Sequence, residues 1–302
     1  MMTAIDTDTI AWWGDRKLFE CFSSSLSKDS SHSPPIKFLP FEAQGPGTRP
    51  VFLFISDQNN LLQAEKMFAN IPKIVVCGPD QSLQIQAMKS LFPISLINIK
   101  SDLDLQAKIA LNSDYLVPQD CKVILKFRFK QWEEVQALRD QNWDGYLPHG
   151  FLSWHNVFSL VFDEILTNAM KHGLKGQGEQ HSDSPMPRAS HVSTLIIKER
   201  RGIWLRVTDP LGGLSHRHTI ECICRAQQSG QALTSPGSGS GLGLYFTYAN
   251  STSMIIEVSR GMTTAVTIFF ESAQREKEYF LRTCNFHFRE ECLWGGLWDK
   301  LK

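Results

Sequence analysis

The chain reads as an α/β protein built in two parts, a front with a parallel sheet and a rear two-layer α/β sandwich. Three observations carry this. Strand and helix patterns alternate between residues 51 and 99, two hairpin patterns follow between 192 and 270, and a long apolar helical run ahead of those hairpins holds a polar stripe. A length of 302 residues suits two cores better than one, since single cores rarely grow beyond ~250 residues.

Residues 1–48 hold Trp12, Trp13, Phe19 and Phe22, followed by a Ser-rich stretch closed by Pro34 and Pro35, and read as a leading segment whose 23–35 part is a loop. Residues 49–145 read as one domain. Val51-Phe52-Leu53-Phe54-Ile55 is a strand, 61–69 a helix, Lys73-Ile74-Val75-Val76-Cys77 a strand, 82–91 a helix and 94–99 a strand. Short apolar runs separated by helical patterns predict parallel strands with covering helices. Asp102 and Asp104 read as first-turn residues of a helix running through Ala110. A strand at 123–129 and a helix at 131–139 follow, and the aromatic segment from Trp143 to Trp154 is the expected joint.

Residues 150–271 read as the second domain, with a helix over 154–172 and strands at 192–198 and 203–207 turning at Arg200-Arg201-Gly202. Strands at 254–258 and 265–270 turn at Arg260-Gly261, a helix spans 243–249, and 219–236 carries a short helix and a lid. Residues 175–191 read as a polar surface loop. Residues 272–302 form an aromatic tail, with Phe280, Phe286, Phe288, Leu293 and Trp294, whose default is to dock on the domain before it.

The helix over 154–172 carries the chemistry. Glu164, Asn168 and His172 are spaced four apart and share one stripe, while Phe158, Val161, Ile165 and Ala169 fall largely on other faces. A carboxamide oxygen suits a hard cation such as Mg²⁺, and a carboxylate one turn earlier can polarise a hydroxyl. The plain alternatives are a surface pair of Glu164 with Lys171 or Arg206, and Lys171 and His172 as cations favoured at a helix C-terminus. Further on, a buried strand runs into Asp209-Pro210-Leu211-Gly212-Gly213, and Gly237-Ser238-Gly239-Ser240-Gly241-Leu242-Gly243-Leu244 opens a helix. Glycines just before a helix leave N–H groups bare for phosphate oxygens; a flexible linker is the alternative, against which the immediate switch to an apolar helix argues.

In this order and spacing the three segments resemble the nucleotide site of the GHKL superfamily, which includes gyrase B, heat-shock chaperones, histidine kinases and anti-sigma-factor serine kinases. The resemblance covers roughly residues 150–271 and implies a Bergerat-type sandwich binding ATP and Mg²⁺. It implies Glu164 as general base, Asn168 as metal ligand, and Lys171 and His172 as further members of the same box. Asp209 and Thr264 would bind adenine, Gly213 would be the second glycine of the first glycine box, and Gly239, Gly241, Leu242 and Gly243 would cap the phosphates. The chain departs from the family at Leu211, which stands where the first glycine of that box is usual, with Gly212 next door able to supply the turn. The departure brings it nearest to anti-sigma-kinase-type and stand-alone regulatory members. The implied function is a bacterial-type cytoplasmic signalling protein, a serine/threonine kinase acting on a regulatory protein partner; the alternative is a nucleotide-gated interaction module with little turnover. The front resembles a receiver domain in outline, but Asp57 stands alone after what reads as its first strand, so a pseudo-receiver without a phosphoacceptor cluster, or an unrelated α/β interaction domain, is expected.

Formal net charge is zero, from 31 basic and 31 acidic residues, so no global field favours nucleic acid or an anionic membrane. No apolar run reaches the ~18 residues of a membrane span. A homodimer is admitted. Seven cysteines, including Cys222-x-Cys224 and Cys284-x-x-His287 with Cys292, lack the doubled spacing of a zinc site and read as reduced packing thiols.

Overall fold

In the computed structural model, the described residues are 9–27, 37–40, 52–56, 60–67, 73–77, 81–90, 94–98, 122–139, 155–173, 191–228, 242–271 and 284–290, with Ile71, Asp102 and Gln106. The chain divides into two compact α/β units, Met1–Leu116 with Asn285–Lys302, and Val117–Cys284.

Unit 1 begins with β1 (Thr9–Trp13), α1 (Arg16–Ser27), β2 (Lys37–Pro40), β3 (Phe52–Ile55), α2 (Leu61–Met67), β4 (Lys73–Cys77), α3 (Gln81–Ser90) and β5 (Ile94–Asn98). These strands lie in the order β2-β1-β3-β4-β5 and every neighbouring pair is parallel. Parallel strands need crossovers: α1 lies between β1 and β2, α2 between β3 and β4, and α3 between β4 and β5. β4 and β5 are buried at every residue, as strands in the middle of a sheet covered on both faces must be.

The leading segment departs from expectation. Part of it was expected to be a loop, but residues 16–27 are helical through their serines, and two strands flank them. Local chemistry starts this helix: Asp15 Oδ1 accepts from the N–H groups of Lys17 (2.7 Å) and Leu18 (3.2 Å), an N-cap. Packing holds it, because Phe19 is buried between Trp12 of β1 (centroids 5.3 Å) and Phe54 of β3 (5.4 Å). Serine is only a mediocre helix former and yields to such a cap and anchor. The strand ahead of Asp57 is therefore the third of the chain and not the first; Asp57 itself lies outside the described residues.

Unit 2 comprises β6 (Lys122–Phe129), α4 (Trp132–Arg139), α5 (His155–Gly173), β7 (Val192–Glu199), β8 (Gly202–Asp209), α6 (His216–Gln228), α7 (Leu242–Ala249), β9 (Ser253–Ser259) and β10 (Thr263–Glu271). Its sheet runs β9-β10-β8-β7-β6 and is antiparallel throughout. β6 and α4 were expected in the front domain, with the joint near 145–150. Instead β6 pairs with β7 from Lys122↔Lys198 to Phe129↔Val192, and the boundary falls near 117. A strand's partner is set by non-local pairing, which the local pattern at 122–129 does not encode.

One face of this sheet carries the helices. Phe158 of α5 packs on Phe270 of β10, with centroids 5.5 Å apart. By strand alternation Ile268, Val266 and Thr264 share that face, and the register sets Ile203, Leu205, Val207 and Asp209 of β8 beside them. The other face holds Trp204 stacked on Phe269 at 4.4 Å, and Arg206.

The chain returns to unit 1 with β11 (Asn285–Glu290), antiparallel to β5 through Phe286↔Leu96, His287↔Ser95 and Phe288↔Ile94. The tail was expected to dock on the domain before it; residues 285–290 form a strand of the unit 1 sheet, every one of them buried. The remainder of 272–302 lies outside the described residues apart from Cys284, as do nearly all of 175–191 and 229–241.

Candidate functional site

The polar stripe forms on α5 as its spacing requires. Glu164 and Asn168 are half-buried, and Asn168 Nδ2 donates to Glu164 Oε1 at 3.0 Å. This bond fixes which way the carboxamide points: with its nitrogen turned to Glu164, Oδ1 is the atom left for another ligand. Lys171 is exposed. His172 is helical, and its side chain lies outside the described residues.

Gly243 sits in the first turn of α7 against Glu164 of this pair. A Cβ at residue 243 would overlap the Glu164 carboxylate and its Cγ, so the helix can approach the carboxylate only because the residue is glycine. A signal for this close approach was present in the Gly-x-Gly pattern, which was assigned entirely to phosphate contact. Gly239 and Gly241 lie outside the described residues, as does the side chain of Leu242.

The end of β8 forms a second group. Thr264 stands opposite Asp209 in the ladder, and its hydroxyl is buried, 2 % exposed, with no hydrogen-bond partner among the described residues. Asp209 Oδ1 accepts the N–H of Leu211 at 3.0 Å, closing a turn over Pro210. Gly212 has φ +61°, and a Cβ there would meet the Ser259 carbonyl at the tip of the β9–β10 hairpin. That tip is itself a tight turn, Met262 N–H to Ser259 carbonyl at 2.9 Å, with Gly261 at φ +70°. Gly212 is thus the residue that needs to be glycine; a side chain at Gly213 would meet nothing within 4 Å.

The plain alternative for Glu164 does not form with Arg206. Arg206 lies on the opposite face of β8 from Asp209, and its Nη1 donates to Glu257 Oε2 (2.6 Å) and Thr267 Oγ1 (3.1 Å). Of the cysteines, Cys77, Cys222, Cys224 and Cys284 are buried thiols outside any disulfide. Burial pushes the Cys284 thiol up to about 12, against a hydrogen bond from Ser251 that lowers it. His287 is bonded through Nε2 to Gln106 Oε1 at 3.1 Å, and burial holds it well below the usual histidine value, helped by Arg289.

The structure therefore brings Glu164, Asn168 and Gly243 together, and separately Asp209 and Thr264, both groups on the helix-bearing side of the unit 2 sheet. The first is an acceptor carboxylate beside a carboxamide oxygen at a helix start. The second is an acceptor carboxylate beside a buried hydroxyl that lacks a partner among the described residues. Compared with known proteins, the chain matches no protein-family model and no curated sequence.

Proposed function

We propose that unit 2 is a GHKL-type ATP-binding domain, a two-layer sandwich of the Bergerat kind, in a cytoplasmic signalling protein that phosphorylates serine or threonine on a regulatory partner. The observation that carries the reading is the seat of Gly243 on Glu164, itself bonded to Asn168, which joins two motifs far apart in sequence. The buried Thr264 hydroxyl supports it from the other end, since burying an unpaired hydroxyl costs about 1–3 kcal/mol and a base edge bound there would supply the missing bond.

Asn168 Oδ1 and the start of α7 would hold Mg·ATP, which when bound supplies the phosphoryl group and neutralises its developing charge. Glu164, steadied through Oε1 by Asn168, accepts the proton of the partner's hydroxyl at its other oxygen. Asp209 accepts from the exocyclic amine of the base, and the Leu211 N–H fixes the rotamer it needs to do so. Gly212, in place of the displaced first glycine, keeps this loop against the β9–β10 tip. In unit 1, the order 2-1-3-4-5 supports a receiver-like outline for the part that senses a signal.

Titration calorimetry with Mg·ATP tests the binding, and radiolabelled ATP with cell extract tests the transfer. Saturable binding with label on a protein band that disappears for Glu164→Gln, while that variant still binds, is the expected result. Binding without transfer would leave a nucleotide-gated interaction module, and no binding to the wild-type chain would end the proposal.

A further inference from the structure

We propose that the outer edge of β6 is a docking strand for an extended segment of another protein, one whose side chains alternate between carboxylate and apolar. β6 is the end strand of the unit 2 sheet, and among the described residues it pairs only with β7. Among the described residues nothing pairs with its outer side, whose backbone N–H and C=O groups are a template for one more strand.

The side chains specify what that strand carries. β6 reads Lys-Val-Ile-Leu-Lys-Phe-Arg-Phe, with Lys122, Lys126 and Arg128 exposed and no acidic residue. Lys126 and Arg128 pair in register with Leu195 and Ser193 and so share one face, whereas Phe127, 37 % exposed, lies on the other with Leu125. No ion pair joins these three cations to a described carboxylate. Val123, beyond the bulge, is 51 % exposed. An added strand would therefore set carboxylates beside Lys126 and Arg128 and an apolar residue beside Phe127, with each favourable cross-strand pair contributing.

A second copy of this chain is the wrong occupant. Two β6 edges brought together would face cation to cation with no carboxylate on either, and directly opposed like charges destabilise a ladder. The same cations that keep identical edges apart thus select an acidic partner. Nucleic acid would answer the charge but not the open backbone or the exposed Phe127 and Val123. The inference holds whether or not unit 2 binds a nucleotide.

The test uses the full chain and a fluorescein-labelled peptide of alternating glutamate and valine, followed by fluorescence anisotropy at low ionic strength. Saturable binding is expected. Lys126→Glu with Arg128→Glu should weaken it ~30-fold, and a lysine–valine peptide should bind that variant in its place. Both substituted side chains are exposed, so the fold should persist, and circular dichroism checks this. Peptides N-methylated on alternate residues should lose binding in one phase of the alternation and keep it in the other, as ladder pairing requires. Four results would overturn the proposal: no saturable binding, indifference to charge reversal, equal tolerance of both methylation phases, or displacement of the peptide by a single-stranded oligonucleotide.

Discussion

Gly243 lies so close to the Glu164 carboxylate that the first turn of α7 packs directly on this side chain of α5, with no side chain of its own at the contact. The contact constrains both partners. Gly243→Ala should destabilise the protein by about 1–3 kcal/mol through overpacking. Combining it with Glu164→Ala should recover most of that loss, because the second change removes the obstructing atoms. A double-mutant cycle from denaturant unfolding checks this, and simple additivity of the two changes would show that the residues do not touch.

Thr264→Val separates a binding role from a folding role. Removing a buried hydroxyl that has no partner among the described residues should raise the stability of the nucleotide-free chain by about 1 kcal/mol. If that hydroxyl serves the base, affinity for Mg·ATP should fall ~5-fold in the same variant. Stability from urea melts and affinity from calorimetry should move in opposite directions. A fall in both would assign the residue to the core.

Asp209→Asn should weaken Mg·ATP at least ~10-fold, since the oxygen not engaged by Leu211 becomes an NH2 that donates where the base amine needs an acceptor, and the charge is lost. The fold should tolerate it, because the amide oxygen can still accept from Leu211. Unchanged calorimetric affinity would remove Asp209 from the base-binding role.

Gly212→Ala should cost at least ~2 kcal/mol, from positive φ and the clash with the Ser259 carbonyl. Gly213→Ala should be close to neutral, since nothing stands within 4 Å of the added methyl group. Thermal melts of the two variants side by side decide whether the loop is held at residue 212.

Acid should weaken the fold through His287. Its folded pKa lies well below the ordinary 6.5, so the unfolded chain binds the proton more readily. Stability from this group is complete above about pH 6.5 and falls as pH drops below it toward the folded value. Alkali acts through Cys284 with the opposite sign: the thiol is raised from 9.0 to about 12, so its contribution is complete below pH 9 and declines as pH rises toward 12. Urea melts across pH should show both limbs; His287→Gln should flatten the acid limb and Cys284→Ala the alkaline one.

Much of the architecture was legible where one local pattern dominated. β4 and β5 are uninterrupted apolar runs, and α5 keeps its apolar and polar stripes through five turns of sequence. The β7–β8 and β9–β10 hairpins announced themselves by alternation around short Arg- and Gly-containing turns. The failures share a cause. β11 alternates Phe286 and Phe288 with Asn285, His287 and Arg289, so it reads as half-exposed. Its polar members are buried because non-local partners receive them, Asn285 Oδ1 accepting the Asn98 N–H at 2.8 Å and His287 meeting Gln106.

The candidate site shows the same division. The stripe of Glu164 and Asn168 follows from helical spacing, whereas the pairing of Asp209 with Thr264 is a matter of register between strands more than fifty residues apart in sequence. The contact of Gly243 with Glu164 depends on how two helices cross, which no window of sequence contains.

The sheet of unit 1 takes five strands from the first hundred residues and another from residues 285–290. During synthesis, that last position stays empty until the ribosome has translated all of Val117–Cys284, leaving β5 with a bare flank throughout. A nascent chain stalled before Asn285 should therefore be a preferred client of chaperones that shield unpaired strands, and should become protease-resistant in its front part only once β11 has emerged.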